Sequence, residues 1–88
     1  MDSGNWYVYV LQSIDGLHQY VGMSVDPERR LKEHNAGQSR FTKSFRPWKI
    51  VYIETVGNRE EARELEKYYK SAAGRRKIKM ILDNYSGA

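Results

Sequence analysis

Two short runs decide the fold: Trp6-Tyr7-Val8-Tyr9-Val10-Leu11 and His18-Gln19-Tyr20-Val21-Gly22-Met23, with Ser13-Ile14-Asp15-Gly16 between them. Both runs are rich in β-branched and aromatic residues, the mark of strands, and the Asp-Gly punctuation between them marks a turn. Together they predict a β-hairpin. Side chains alternate across a strand, so Tyr7, Tyr9 and Leu11 share one face. Pairing about the turn sets Tyr9 opposite Tyr20, or opposite Gly22 in a register of the same parity. In either case the two tyrosines lie on one face of the hairpin.

Working outward, Asp26-Pro27 starts a helix, because Asp can accept from the free amides of the first turn and Pro suits the first helical position. The helix is expected to run to Asn35 and to end at Ala36-Gly37. Residues 37–47 read as a basic loop, and Trp48–Val56 (WKIVYIETV) as a third strand. Gly57-Asn58 turns the chain, and Asn58 caps a second helix expected from Arg59 to Ala73, stopped by Gly74. A short basic helix or turn follows from Arg75 to Leu82, with Ile78, Ile81 and Leu82 as anchors. The ends, Met1 to Asn5 and the tail from Asp83, read as loose. The order β-β-α-β-α-α implies an α/β (α+β) domain: a small three-stranded antiparallel sheet flanked by helices. Residues 1–88 read as one domain with its core at about 6–82.

Composition narrows the function. With no cysteine, a disulfide framework and a thiolate zinc site are excluded. No apolar run is long enough to span a membrane and no signal-peptide pattern opens the chain, so a soluble cytoplasmic protein is expected. Net charge is +4, and the cations are clustered. Arg40, Lys43, Arg46 and Lys49 occur with no acid between Gly37 and Lys49, and Arg75, Arg76, Lys77 and Lys79 with none between Gly74 and Lys79. Clustered cations on a small domain suit a nucleic acid; they also suit a merely solubilising surface.

Four features carry chemistry. Tyr9 and Tyr20 are either paired hairpin packing or a polar pair at a site. Arg30 and His34 lie one turn apart on one helix face. Arg can grip a phosphate, and His can move a proton near neutral pH; a solvated basic face is the plainer alternative. Glu66 stands out by helix geometry. Ala62, Tyr69 and Ala73, flanked by Leu65 and Ala72, form an apolar stripe, and Glu66 falls within about 40° of Ala62. Glu60, Glu61 and Glu64 point away. A carboxylate beside a core needs a partner, either Lys70 one turn on or a divalent metal. Finally, the loop from Arg40 to Trp48 interleaves cations with Phe41 and Phe45; Trp48 reads as core and Phe41 as the better stacking surface.

The triplets Tyr7-Val8-Tyr9 and Tyr20-Val21-Gly22 resemble the two halves of the GIY-YIG endonuclease signature. The first departs at Tyr7 and Val8, the second only at Val21. GMSVDPERRLKEHN resembles the family's helix, whose phosphate-binding Arg falls at Arg30, with His34 one turn later. FTKSFRPWKIVYIE and EARELEKYYK resemble compact stand-alone bacterial members, and the family's metal-binding glutamate falls at Glu66. Asn84 is a further match, resting on one residue.

The resemblance implies a divalent-metal-dependent DNA endonuclease serving DNA repair or recombination. One Mg²⁺ or Mn²⁺ would sit on Glu66, Arg30 on the phosphate, Tyr9 would be the base, Tyr20 its orienter and His34 a relay. Arg40, Lys43, Arg46, Lys70, Arg75 and Arg76 are the expected nucleic-acid contacts, and branched or single-stranded DNA the expected partner. An accessory protein or a homodimer is compatible with this reading; one site cuts one strand, so double-strand cleavage needs a dimer or two visits. The alternative is a nucleic-acid-binding module of the same fold with little catalysis. A free tyrosine has a pKa near 10, so Tyr9 as base needs cations that favour its phenolate and an alkaline rise in rate.

Overall fold

The computed structural model describes residues 5–86. The expected loose leader falls, apart from Asn5, outside the described residues. Strand β1 (Trp6–Ser13) pairs antiparallel with both β2 (Gln19–Ser24) and β3 (Trp48–Val56), giving the sheet order β2-β1-β3. The central place of β1 follows from its sequence. Val8, Tyr9, Val10 and Leu11 are all buried, because residues of both parities meet a helical layer. An unbroken apolar run is what a strand covered on two faces requires.

On one face, α1 (Pro27–Asn35) and the 3₁₀ turn η1 (Thr42–Phe45) cover Tyr9, Leu11 and Trp48, with Tyr20, Leu31, Phe45 and Ile50 packed around them. On the other, α2 (Arg59–Lys70) and α3 (Ala72–Ser86) bury Ala62, Tyr69 and Ile78 against Val8, Val10 and Val21. Both expected caps are present: Asp26 Oδ1 accepts from the Arg29 amide at 3.2 Å and Asn58 Oδ1 from the Glu61 amide at 2.9 Å. Asn35 pins β3 to α1, accepting from the Trp48 amide at 2.6 Å and donating to its carbonyl at 3.0 Å.

Four expectations are corrected. The second helix stops at Lys70, not Ala73, because Ser71 takes over as a cap: its Oγ accepts from the Gly74 amide at 3.2 Å, and its carbonyl from Arg75 at 2.9 Å. Gly74 therefore ends nothing. It sits buried in the first turn of α3, where an added Cβ would lie 1.9 Å from the Tyr68 carbonyl oxygen. Ala72 and Ala73 belong to α3 and are exposed, so they form no part of the α2 stripe. The chain beyond Asp83 continues in α3 to Ser86. No described helix is long and apolar enough to cross a membrane.

Candidate active site

The hairpin takes the register that sets Tyr9 opposite Gly22, while Tyr20 lies opposite Leu11. Both tyrosines face α1, as strand parity requires. The pairing explains the glycine. Tyr9 lies across β2, and a Cβ on Gly22 would stand 2.4 Å from its hydroxyl oxygen. With hydrogen there instead, the phenol passes over β2 towards the sheet edge.

His34 is fully buried beneath it, not on a solvated helix face. Its Nε2 is 3.3 Å from Tyr9 Oη, and its Nδ1 is 2.8 Å from Thr42 Oγ1. When Nδ1 donates to Thr42, Nε2 is left to accept from the Tyr9 hydroxyl. Burial, reinforced by the Arg30 charge and opposed by Glu33, holds His34 below the ordinary imidazole range. It is therefore neutral near pH 7 and able to accept a proton. Burial pushes the Tyr9 phenol up; Arg30 pulls it down, and Tyr20 and Glu66 add to the rise. Arg30 is thus the cation that the resemblance asks for, but burial outweighs it and Tyr9 is protonated.

Arg30 is half-exposed and gripped by Glu33, which also accepts from Arg29 at 3.2 Å. These two cations, Arg30 first, hold the Glu33 carboxyl below its usual range. Tyr20 packs its ring 4.9 Å from that of His34. Over the Tyr20 ring, 5.8 Å from its centre, lies Lys70 Nζ, which is 3.3 Å from Glu66 Oε2. Glu66 is 20 % exposed, between the buried Ala62 and the exposed Glu60, Glu61 and Glu64, as the helix geometry requires. So Tyr9, Tyr20, Arg30, His34 and Glu66 converge at the β2 edge, where α1 and α2 approach from opposite faces.

The expected nucleic-acid contacts divide. Lys70 and Arg75 line a cleft beside Tyr20. Arg40, Lys43 and Arg46 are exposed on the loop around η1, with the Arg46 guanidinium folded against Gly37, and Arg76 is exposed on α3. Asn84 is exposed on α3 as well. Two residues were missed by reading the sequence. Glu33 was detectable as an acid three residues after Arg30. Thr42 carried no local signal, because only the fold of η1 brings it to His34.

Among the described residues no three His, Cys, Asp or Glu side chains gather to hold a metal. A cation here would rest on Glu66 and complete its sphere with water and phosphate oxygens. That donor set suits a hydrated Mg²⁺ or Mn²⁺ and not a dehydrated cage.

Comparison with known proteins bears on the family and the fold. The family model for the GIY-YIG catalytic domain matches residues 5–79. A UPF0213 protein of Desulfotalea psychrophila is 35% identical over 88 residues, covering 98% of this chain and 79% of its own. Another, from Syntrophus aciditrophicus, is 36% identical over 80 residues, covering 89% and 91%. The solution NMR structure of a UPF0213 protein from Bacillus halodurans superposes with a TM-score of 0.53 at 32% identity, covering 89% of this chain and 83% of that one.

Proposed function

The chain belongs to the GIY-YIG family of catalytic domains, and on that premise we propose that it hydrolyses DNA phosphodiester bonds as a divalent-metal-dependent endonuclease. Membership implies nuclease activity on a nucleic-acid substrate. The finer reading rests on one observation: the buried hydrogen-bonded line Tyr9–His34–Thr42 lies within electrostatic reach of Arg30 and Glu66 beside β2.

The attacking group is water. Its proton passes to the Tyr9 oxygen as the Tyr9 proton passes to His34 Nε2, so the phenol need not ionise first. Thr42 holds Nδ1 and orients the ring, and the tautomer in which Nδ1 donates to Thr42 leaves Nε2 free. The water oxygen bonds to phosphorus, the bond from phosphorus to the 3′ oxygen breaks, and the leaving oxygen takes up a proton from solvent. Arg30, held by Glu33, faces the charge that grows on the phosphoryl oxygens. Tyr20, packed between His34 and Lys70, orients the water. Glu66 would hold the ion, whose chemistry is to polarise the phosphate and stabilise the leaving oxygen.

The Glu66–Lys70 contact at 3.3 Å favours a second reading, in which the carboxylate is a surface ion-pair partner and the domain binds nucleic acid without cutting it. One experiment separates them. Plasmid, single-stranded and branched DNA are incubated with Mg²⁺ or Mn²⁺, using the wild type, Glu66→Ala and Arg30→Ala. Metal-dependent cleavage lost in both variants supports the nuclease. Binding without cleavage on every substrate supports the second reading, and cleavage indifferent to both substitutions removes the site.

A further inference from the structure

Beside Tyr20 a cleft of about 510 Å³ opens between the β1–β2 turn, Phe41 and the α2–α3 junction. Its volume is that of a small-ligand site. Its polar wall is cationic: Lys70 and Arg75 line it, and no acid does. The nearest turn acid, Asp15, is drawn into its own turn by Ser13 Oγ at 2.6 Å and the Leu17 amide at 3.0 Å. The other wall is aromatic. Phe41 stacks on Tyr20 at 6.1 Å and 29°, and its far neighbour Phe45 stacks on His18 at 3.8 Å. Phe41 itself is 53% exposed. It is a flat ring held from behind by the aromatic row, with surface still open to solvent.

A second groove, sharing Gln19 and Arg75 with the first, continues past Lys49 and Lys79. The acid there, Asp83, is paired with Lys79 at 3.4 Å. Cations therefore line a path that starts at the Glu66–Lys70 pair and leads away from the site.

We propose that this cleft holds an unpaired nucleotide next to the bond being cut, its base on Phe41 and its phosphate between Lys70 and Arg75. Inside a duplex both faces of a base are covered by neighbours, so a protruding side-chain ring can stack only on a base that has left the helix. The specificity that follows is for a single-stranded segment on this side of the scissile phosphate. An apolar protein segment would also cover Phe41, but would leave the Arg75 guanidinium at the other wall without a counter-charge, Lys70 being paired with Glu66. The proposal rests on the nuclease reading for the position of the scissile bond, but its binding step can be measured without it.

The test is fluorescence anisotropy in EDTA, where no metal-dependent cutting occurs. The probes are a labelled 12-nucleotide oligothymidylate and a blunt duplex of equal length. Phe41→Ala is expected to weaken single-strand binding about 5- to 150-fold, the range for one lost base stack, and duplex binding less than about twofold. Phe41→Trp is expected to restore it. Arg75→Gln is expected to weaken single-strand binding and lower its salt slope by about 0.7, a readout independent of whether Phe41→Ala folds. Equal losses on both probes, or none in either variant, overturn the proposal. Cleavage by the wild type with Mn²⁺ is measured in parallel. Cutting without a Phe41-dependent preference rejects the cleft and keeps the nuclease; the preference without cutting does the reverse.

Discussion

Tyr9 lies against the Cα of Gly22, so closely that a Cβ there would stand 2.4 Å from the phenol oxygen and 2.6 Å from the ring carbon bearing it. The glycine is a condition for the position of the reactive hydroxyl, not a concession to a turn. Gly22→Ala must therefore displace the Tyr9 hydroxyl from this position. Overpacking of this kind costs about 1–3 kcal/mol of stability. Displacement of a reacting group by about 1 Å costs about a hundredfold in rate. The expected outcome is a folded protein with DNA affinity near that of the wild type and cleavage down about a hundredfold. Activity within a factor of three of the wild type would show that Tyr9 is not the residue placed at the reacting water.

His34 supplies a stability signature free of any assumption about substrate. Its pKa is lowered in the fold by burial and by Arg30, so below the unfolded value of about 6.5 the unfolded chain binds the proton more readily. Stability contributed by the neutral imidazole is complete above that pH. It is lost as pH falls, at no more than about 1.4 kcal/mol per pH unit, until the folded pKa is passed. Thermal unfolding between pH 7.5 and 5 should show a steeper loss for the wild type than for His34→Gln. Parallel curves over that window would mean that His34 is not held neutral.

Much of this site was legible before any coordinates, and the reason is geometric. Strand parity alone places Tyr9 and Tyr20 together, and helical angle alone singles out Glu66 from its three acidic neighbours. Where the reading failed, a long-range contact decided. Gly74 reads as a helix stop by local rules, yet it is buried in α3 because the two helices pack backbone to backbone at Tyr68. Ser71, unremarkable between two helical stretches, caps α3. For His34 local rules leave a proton-moving group and a solvated basic face both open, and only the placement of η1 over α1 shows it buried with Thr42 as its second partner.

Arg30 and Glu66 separate chemistry from scaffolding. The Glu66–Lys70 pair has a half-exposed lysine, and such pairs contribute about 0–1 kcal/mol. Glu66→Gln should thus unfold within about 1 kcal/mol of the wild type, yet lose both cleavage and the enthalpy of Mn²⁺ binding seen by calorimetry. Arg30→Ala should keep the ion and lose about a hundred- to a thousandfold in cleavage, the usual cost of one donor to a developing anion. Undiminished Mn²⁺ binding by Glu66→Gln would move the ion elsewhere.

The opposite displacements of Tyr9 and His34 choose between two ways of activating water. Tyr9 is raised above its ordinary value of about 10 by burial, with Arg30 too weak to reverse it. Acting alone as a phenolate, it would give a rate that climbs about tenfold per pH unit from pH 7 to 9 and beyond. In the relay the rate follows the neutral fraction of His34, whose pKa lies below 6.5. Single-turnover cleavage should then rise with pH below about 6.5 and stay level from pH 7 to 9. His34→Gln should lose more than about tenfold at pH 7, and part of that loss should return with rising pH as Tyr9 begins to ionise. A wild-type rate climbing tenfold per unit across pH 7 to 9 would sink the relay and give the base role to the Tyr9 phenolate alone.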